Sequence, residues 1–270
     1  MGRYGLAACL SGALLSVAST GDAAECAAPW ERWPQVGSQL IQPLPLVLIG
    51  GSAVPPALMS PTGWDQDLRV FSQTKMGGSY DPEPVSIGTP YLALGATTAT
   101  WVTLRLLKIC EGQKTTAAML QGVGMTLVFV GLTKWATGRT WPNGGQDPYA
   151  EDTLDHPEYA QQWRPFRNGA IAAFPSGHTA TMFAFAAALR ASSPELGWWR
   201  YVGYPIAAAM GFAMWYGDHH WVSDILSGAM VGEALGASAG YAWSGTEQPQ
   251  TSWMFYPAPG GGFASITHRY

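Results

Sequence analysis

The sequence predicts an all-α bundle, on three observations. Its apolar stretches are long, rich in Ala, Leu and Met, and lack the alternation of a strand. Charged residues are only 12% of the chain while hydrophobic residues are 47%, against a usual charged share of about 25%. The conspicuous polar clusters sit at the ends of the apolar stretches. Helices packed side by side, in a compact bundle or against lipid, satisfy all three. The 270 residues suffice for one large domain or two small ones. A net charge of −4 excludes a nucleic-acid partner. The mean hydropathy of +0.04 is low for a chain lying mostly in lipid.

Taken in order, the N-terminus carries Arg3, a short apolar run "LAACLSGALLSVAS" and the small pair Ala23–Ala24. That pattern predicts a signal peptide over residues 1–24, with an uncleaved anchor helix as the alternative. A helix and loop follow over residues 25–84, a helical domain over 85–245 and a tail over 246–270. Six apolar stretches are predicted as helices: Ile41 to Met59, Tyr91 to Cys110, Thr115 to Thr133, Thr179 to Leu189, Val202 to Tyr216 and Val222 to Trp243. Prolines 43, 45, 55 and 56 interrupt the first. Several are borderline against the roughly 20 apolar residues that cross a bilayer. Residues 60–90 and 142–174 are predicted as long connections. Connections of such length usually carry function or are disordered. The tail reads as irregular, or as two short strands around a glycine turn.

Cys9 would leave with the signal, so Cys26 and Cys110 remain, as a disulfide in an oxidising compartment or as two buried thiols. Arg105, Lys108 and Lys114 lie between the second and third helices, and Arg190 and Arg200 between the fourth and fifth. If these helices span, the positive-inside rule puts both loops in the cytoplasm and the polar helix ends opposite. A bundle lying wholly outside the cytoplasm is the other arrangement.

Three polar clusters carry candidate chemistry. "KWATGRTWP" (134–142) ends the third helix, "PSGH" (175–178) starts the fourth, and "GDHHWVSD" (217–224) starts the sixth. Antiparallel neighbours would bring all three to one end of the bundle. The amides of a helix N-terminus lack intrahelical partners and the dipole there favours an anion. Gly177 admits a close approach, Ser176 offers a hydroxyl, and His178 a proton; Ser176 as a plain N-cap is the alternative. His220 and Asp224 are four apart on one helix face, so the carboxylate can orient the imidazole. Lys134 and Arg139 can neutralise phosphate oxygens, or simply flank an apolar helix. A metal would need more ligands than His219, His178 and His156 supply in their scattered contexts.

In order and spacing, these clusters resemble the superfamily of type-2 phosphatidic acid phosphatases and vanadium haloperoxidases, whose pattern is K-x6-R-P, then P-S-G-H, then S-R-x5-H-x3-D. Lys134 and Pro142 match the first motif, Pro175 to His178 the second, and His220 and Asp224 the third. Trp141 stands at the first motif's arginine, and Ala213 and Met214 at the third motif's Ser-Arg pair. Arg139, Arg164 or Arg167 would have to serve instead. The resemblance covers roughly residues 85–245 and implies a six-helix bundle and a phosphatase that uses no metal and no cofactor. It implies His220 as nucleophile, Asp224 orienting it, and His178 as general acid and base. Lys134, Arg139, Ser176 and Gly177 would hold the phosphate. It further implies a phosphorylated lipid or small phosphate ester as substrate, at a membrane surface or in the bilayer. The place would be the bacterial cell envelope, periplasmic or membrane-embedded with the site facing the periplasm. A degenerate lipid-binding relative without turnover and a vanadate-dependent peroxidase are the alternatives.

Overall fold

A computed structural model describes residues 32–78, 84–143, 162–166, 172–245, 250–258 and 261–269. The expected signal peptide, Cys26, His156 and Arg167 lie outside the described residues. Helices α1 (Trp33–Leu40), α2 (Pro43–Gly51), α3 (Val54–Met59), α4 (Trp64–Lys75), α5 (Pro84–Leu106) and α6 (Cys110–Thr137) precede the second long connection. Then come α7 (Gly177–Ser192), a 3-10 segment (Pro194–Tyr201), α8 (Gly203–Tyr216) and α9 (Val222–Ser244). Strands β1 (Gln250–Ala258) and β2 (Gly261–Arg269) pair antiparallel, Gln250 opposite Arg269 and Ala258 opposite Gly261. The all-α bundle and the hairpin form of the tail are as the sequence predicts.

All six apolar stretches are helical over most of their length, α5 running Pro84–Leu106 and leaving Cys110 to open α6, and two larger differences stand out. The first is divided into α2 and α3, because proline is best tolerated in the opening turn of a helix and each proline pair begins a new one. The second difference is α4, which occupies ground expected to be a loop. Asp65 and Asp67 in its first turn and Lys75 in its last complement the helix dipole. The face it buries consists of Asp65, Arg69 and Ser72. A search for apolar periodicity cannot see a helix whose inner face is polar.

Helix α7 is the centre. It packs on α9, α6 and α8, and α9 in turn receives α1, α2 and α3. The α7–α9 contact is a seam of small residues four apart. Gly228, Gly232, Gly236 and Gly240 of α9 face the backbone of Ser176, Ala180, Ala184 and Ala188. A Cβ on Gly228 would stand 2.6 Å from the Ser176 carbonyl oxygen, and one on Gly240 2.7 Å from that of Ala188. At Gly232 it would press into the Ala180 carbonyl and to 2.9 Å of the Phe183 Cβ. Backbone cannot rotate away, so Gly232→Ala is expected to cost about 1–3 kcal/mol and to lower the melting temperature by about 2–4 °C per kcal/mol. Gly124→Ala in α6 is the contrast, since nothing lies within 4 Å of its Cβ. It should be neutral, or stabilising by up to about 1 kcal/mol through helix propensity. Thermal melts of the two variants check this; equal melting temperatures would deny the seam its role.

Residues Gly112–Thr137 form one helix long and apolar enough to cross a membrane, with half of its apolar window buried in the bundle. The α1 to α3 segment passes the same test only if counted as one span, bent by 70°. Cys110, at the start of α6, is disulfide-bonded.

Candidate active site

The three clusters meet at one end of the bundle. Gly138, in the left-handed conformation (φ 58°), stops α6 by donating its N–H to the Lys134 carbonyl. A Cβ there would run into the Arg164 carbonyl, so only glycine fits. The chain then pairs with the returning connection: Thr140 N–H donates to Gln162 O (3.0 Å), and Arg164 N–H to Gly138 O (3.0 Å). Ala173 N–H donates to Arg139 O (2.8 Å), which delivers the chain to Pro175 and α7. Ser176 N–H donates to the Asp224 carbonyl (3.0 Å), fastening the starts of α7 and α9 together.

His220 leaves the turn between α8 and α9. Its own N–H and that of His219 both donate to the Met214 carbonyl, at 3.1 and 2.9 Å. The turn puts Asp218 at φ 57°, a conformation uncommon for a residue with a side chain. Arg69 of α4 holds it there with a bidentate ion pair at 2.7 and 2.6 Å, both partners buried. His220 Nδ1 faces Asp224 Oδ2 at 3.7 Å, beyond hydrogen-bond length, and has no nearer partner. Burial pushes the His220 imidazole down to about 4, against the pull of Asp224; Lys134 and His178 add to the fall. The Lys134 ammonium and the His220 ring share a neighbour in Trp141, whose ring centroid lies 5.8 Å from the first and 5.5 Å from the second.

Asp224 is fully buried. Burial would raise its carboxyl, but Arg139, His220 and Lys134 together hold it below the ordinary carboxylate value. Its Oδ2 accepts the Trp221 N–H at 3.3 Å and its Oδ1 accepts Arg139 Nη1 at 2.6 Å. Asp65 completes the support from α4. It accepts Arg139 Nη2 (2.7 Å), the Ser223 N–H (3.0 Å) and the Ser223 hydroxyl (2.5 Å). The Ser223 amide is an orphan donor of the first turn of α9, so Asp65 caps that helix from another element. Arg139 lies between the rings of Trp163 and Trp221, its Cζ 5.2 and 5.5 Å from their centroids.

Two expected phosphate ligands are therefore placed otherwise. Arg139 has no exposed surface, and both terminal nitrogens are taken by Asp65, Ser223 and Asp224. It braces the carboxylate and does not point at an anion. The Ser176 hydroxyl is buried, accepts the Thr179 N–H and lies 2.9 Å from the Thr179 hydroxyl, so the capping alternative describes it. Arg164 donates to the Gln162 side-chain carbonyl. Gly177 and His178, by contrast, are only part-buried at the open start of α7. A Cβ on Gly177 would come no nearer than 3.5 Å to Val130 and 4.0 Å to Lys134 Cε, which puts the helix start and the lysine on one small space. Lys134 Nζ donates to the carbonyls of Ala172 and Ala173, leaving one of its three hydrogens. Burial pulls the ammonium down to about 8, with Asp224 opposing. Met214 is 1% exposed within the apolar core, so no cation enters from the third motif's arginine position. Among the described residues no three His, Cys, Asp or Glu side chains are grouped for a metal.

Sequence reasoning missed Asp65 and Arg69. The signal was present as two charges four apart in a segment with charges of both signs. Without apolar periodicity such a segment reads as a connection, and the pair goes unnoticed.

The model of the PAP2 superfamily matches residues 115–247. Over 67 residues the chain is 40% identical to a lipid A 1-phosphatase of Porphyromonas gingivalis. That alignment covers 23% of this chain and spans 14% of the relative's length. No solved structure matches the chain.

Proposed function

Since the chain belongs to the PAP2 superfamily, we propose that it is a phosphatase acting on a phosphorylated lipid of the bacterial envelope through a phosphohistidine. The observation that carries this reading is the arrangement of His220, whose Nδ1 faces a carboxylate braced by Arg139 and Asp65. With its proton on Nδ1, the ring keeps the Nε2 lone pair for attack. Nε2 attacks phosphorus, the P–O bond to the leaving alcohol breaks, and His178 supplies that oxygen with a proton. His178 then takes a proton from water, the hydroxide displaces His220 from phosphorus, and inorganic phosphate leaves. Lys134 and the first-turn amides at Gly177 bind the non-bridging oxygens. Asp224 stays ionised and balances the charge that His220 gains.

Lipid as substrate is supported by the relative's name and by the surface. Leu127, Val128, Leu132 and Trp135 of α6 and Ile206 and Phe212 of α8 are exposed large apolar side chains, of the kind that seeks a membrane. A periplasmic position is supported by the disulfide at Cys110. That bond lies at the opposite end of α6 from Lys134. A bundle lying wholly on the outer side keeps both ends of α6 in an oxidising compartment. The domain limits 85–245 need extending, because α4 supplies Asp65 and Arg69.

The direct test is phosphate release from a panel of envelope lipids, lipid A and phosphatidic acid included, by wild type beside His178→Ala. Release by neither protein would reject the enzyme reading in favour of a lipid-binding relative. The pH profile adds a sign. His220 is neutral, and nucleophilic, above about 4, and Lys134 is charged below about 8. We expect kcat/KM to rise through the first value and fall through the second, as a bell. An activity still rising above pH 9 would remove Lys134 from phosphate binding.

A further inference from the structure

Trp141 occupies a place in the site that its residue type does not explain. Its ring lies against that of His220, with centroids 5.5 Å apart and planes 30° apart. Lys134 Nζ is 5.8 Å from the same ring's centroid, and the other neighbours are Ala173 and Trp221. Trp221 donates its own indole N–H to the Thr140 carbonyl at 2.9 Å. The Trp141 indole N–H, in contrast, is sealed from solvent with no acceptor. Buried donors in folded proteins are almost always paired, and an orphan calls for a missing partner. An apolar ring would stack on the imidazole equally well, so stacking leaves the N–H unaccounted for.

The surroundings name the chemistry of that partner. The neighbours are a lysine and an imidazole poised to attack, and both act on a tetrahedral oxyanion in the reading above. Arg139 is withdrawn from the site by two carboxylates. Met214 brings only apolar surface. We infer that the Trp141 indole N–H is a phosphate-binding donor, whose acceptor is a non-bridging oxygen of the bound phosphoryl group. This rests on His220 being the residue that meets phosphorus. The anion is then gripped by Lys134, the first-turn amides at Gly177 and a neutral indole N–H.

Trp141→Phe separates the two roles, because it keeps an aromatic ring against His220 while removing the N–H along with part of the indole. We expect its kcat/KM on a phosphate ester to fall by about 10- to 100-fold, the range for a lost hydrogen bond to a charged group. Its affinity for orthovanadate, titrated calorimetrically on the full chain, should fall by a similar factor, with a melting temperature lowered by a few degrees at most. Trp141→Arg, which restores a donor, should recover vanadate affinity relative to Trp141→Phe. Wild-type turnover and wild-type vanadate affinity in Trp141→Phe would overturn the inference, as would wild-type protein that binds no vanadate. If wild type releases no phosphate, the phosphatase reading fails by itself. The vanadate comparison still decides the donor: weaker binding by Trp141→Phe supports it and equal binding overturns it.

Discussion

His220→Ala is expected to reduce kcat/KM by on the order of 10⁴-fold or more, the scale seen when a nucleophile is removed. The melting temperature should fall by only a few degrees, the cost of the cavity left beside Trp141. The imidazole is buried but its Nδ1 makes no short hydrogen bond, and the turn beneath it is held by backbone bonds to Met214 and by the Arg69–Asp218 pair. Asp224 keeps its bonds to Arg139 and to the Trp221 amide. Steady-state kinetics beside a thermal melt separate the two effects. Radiolabel from a phosphate ester, trapped as an acid-labile adduct in wild type, should be absent from the variant. Turnover surviving in His220→Ala would end the phosphohistidine mechanism.

Arg139→Met should have the largest effect on stability. It leaves Asp65 and Asp224 as two buried carboxylates without their cation, and stranding one partner of such a pair costs about 3–5 kcal/mol. Activity should fall as well, since Asp224 Oδ1 loses its anchor and small misplacements near a reacting centre cost about 10²-fold. Adding Asp65→Asn to the same chain removes one of the stranded charges. The double variant should therefore be more stable than Arg139→Met alone. Denaturant unfolding of the four members of this cycle measures the coupling. Additive losses would show that Asp65 and Arg139 do not act through each other.

These effects trace to residues of unequal visibility in the sequence. Lys134, Gly177, His178, His220 and Asp224 stand in spaced motifs at helix ends, and local reasoning brings them together. The apolar helices were legible for the same reason, because periodicity and composition report on burial directly. Arg139 was legible as a cation and illegible as to its partner, since the direction of a long side chain depends on what the rest of the chain supplies. That supply is Asp65, 74 residues away in sequence. Helix α4 buries polar side chains against polar side chains, so its contribution is written in complementary charges and not in hydrophobicity. The cap role of Ser176 was one of two readings and needed coordinates to choose. Trp141 looked like a lost arginine in a one-dimensional pattern; only its neighbours reveal an unspent N–H.

The glycine seam between α7 and α9 has a consequence for chemistry as well as for folding. His178 rides on one of these helices and His220 enters the other. The distance between the two rods is fixed where main chain rests on main chain, with no side chain between to compress or turn aside. The seam thus acts as a gauge block for the gap between the two imidazoles. A methyl group inserted far down the bundle, well away from any substrate, would widen that gap, and the reaction would register it as loss of alignment.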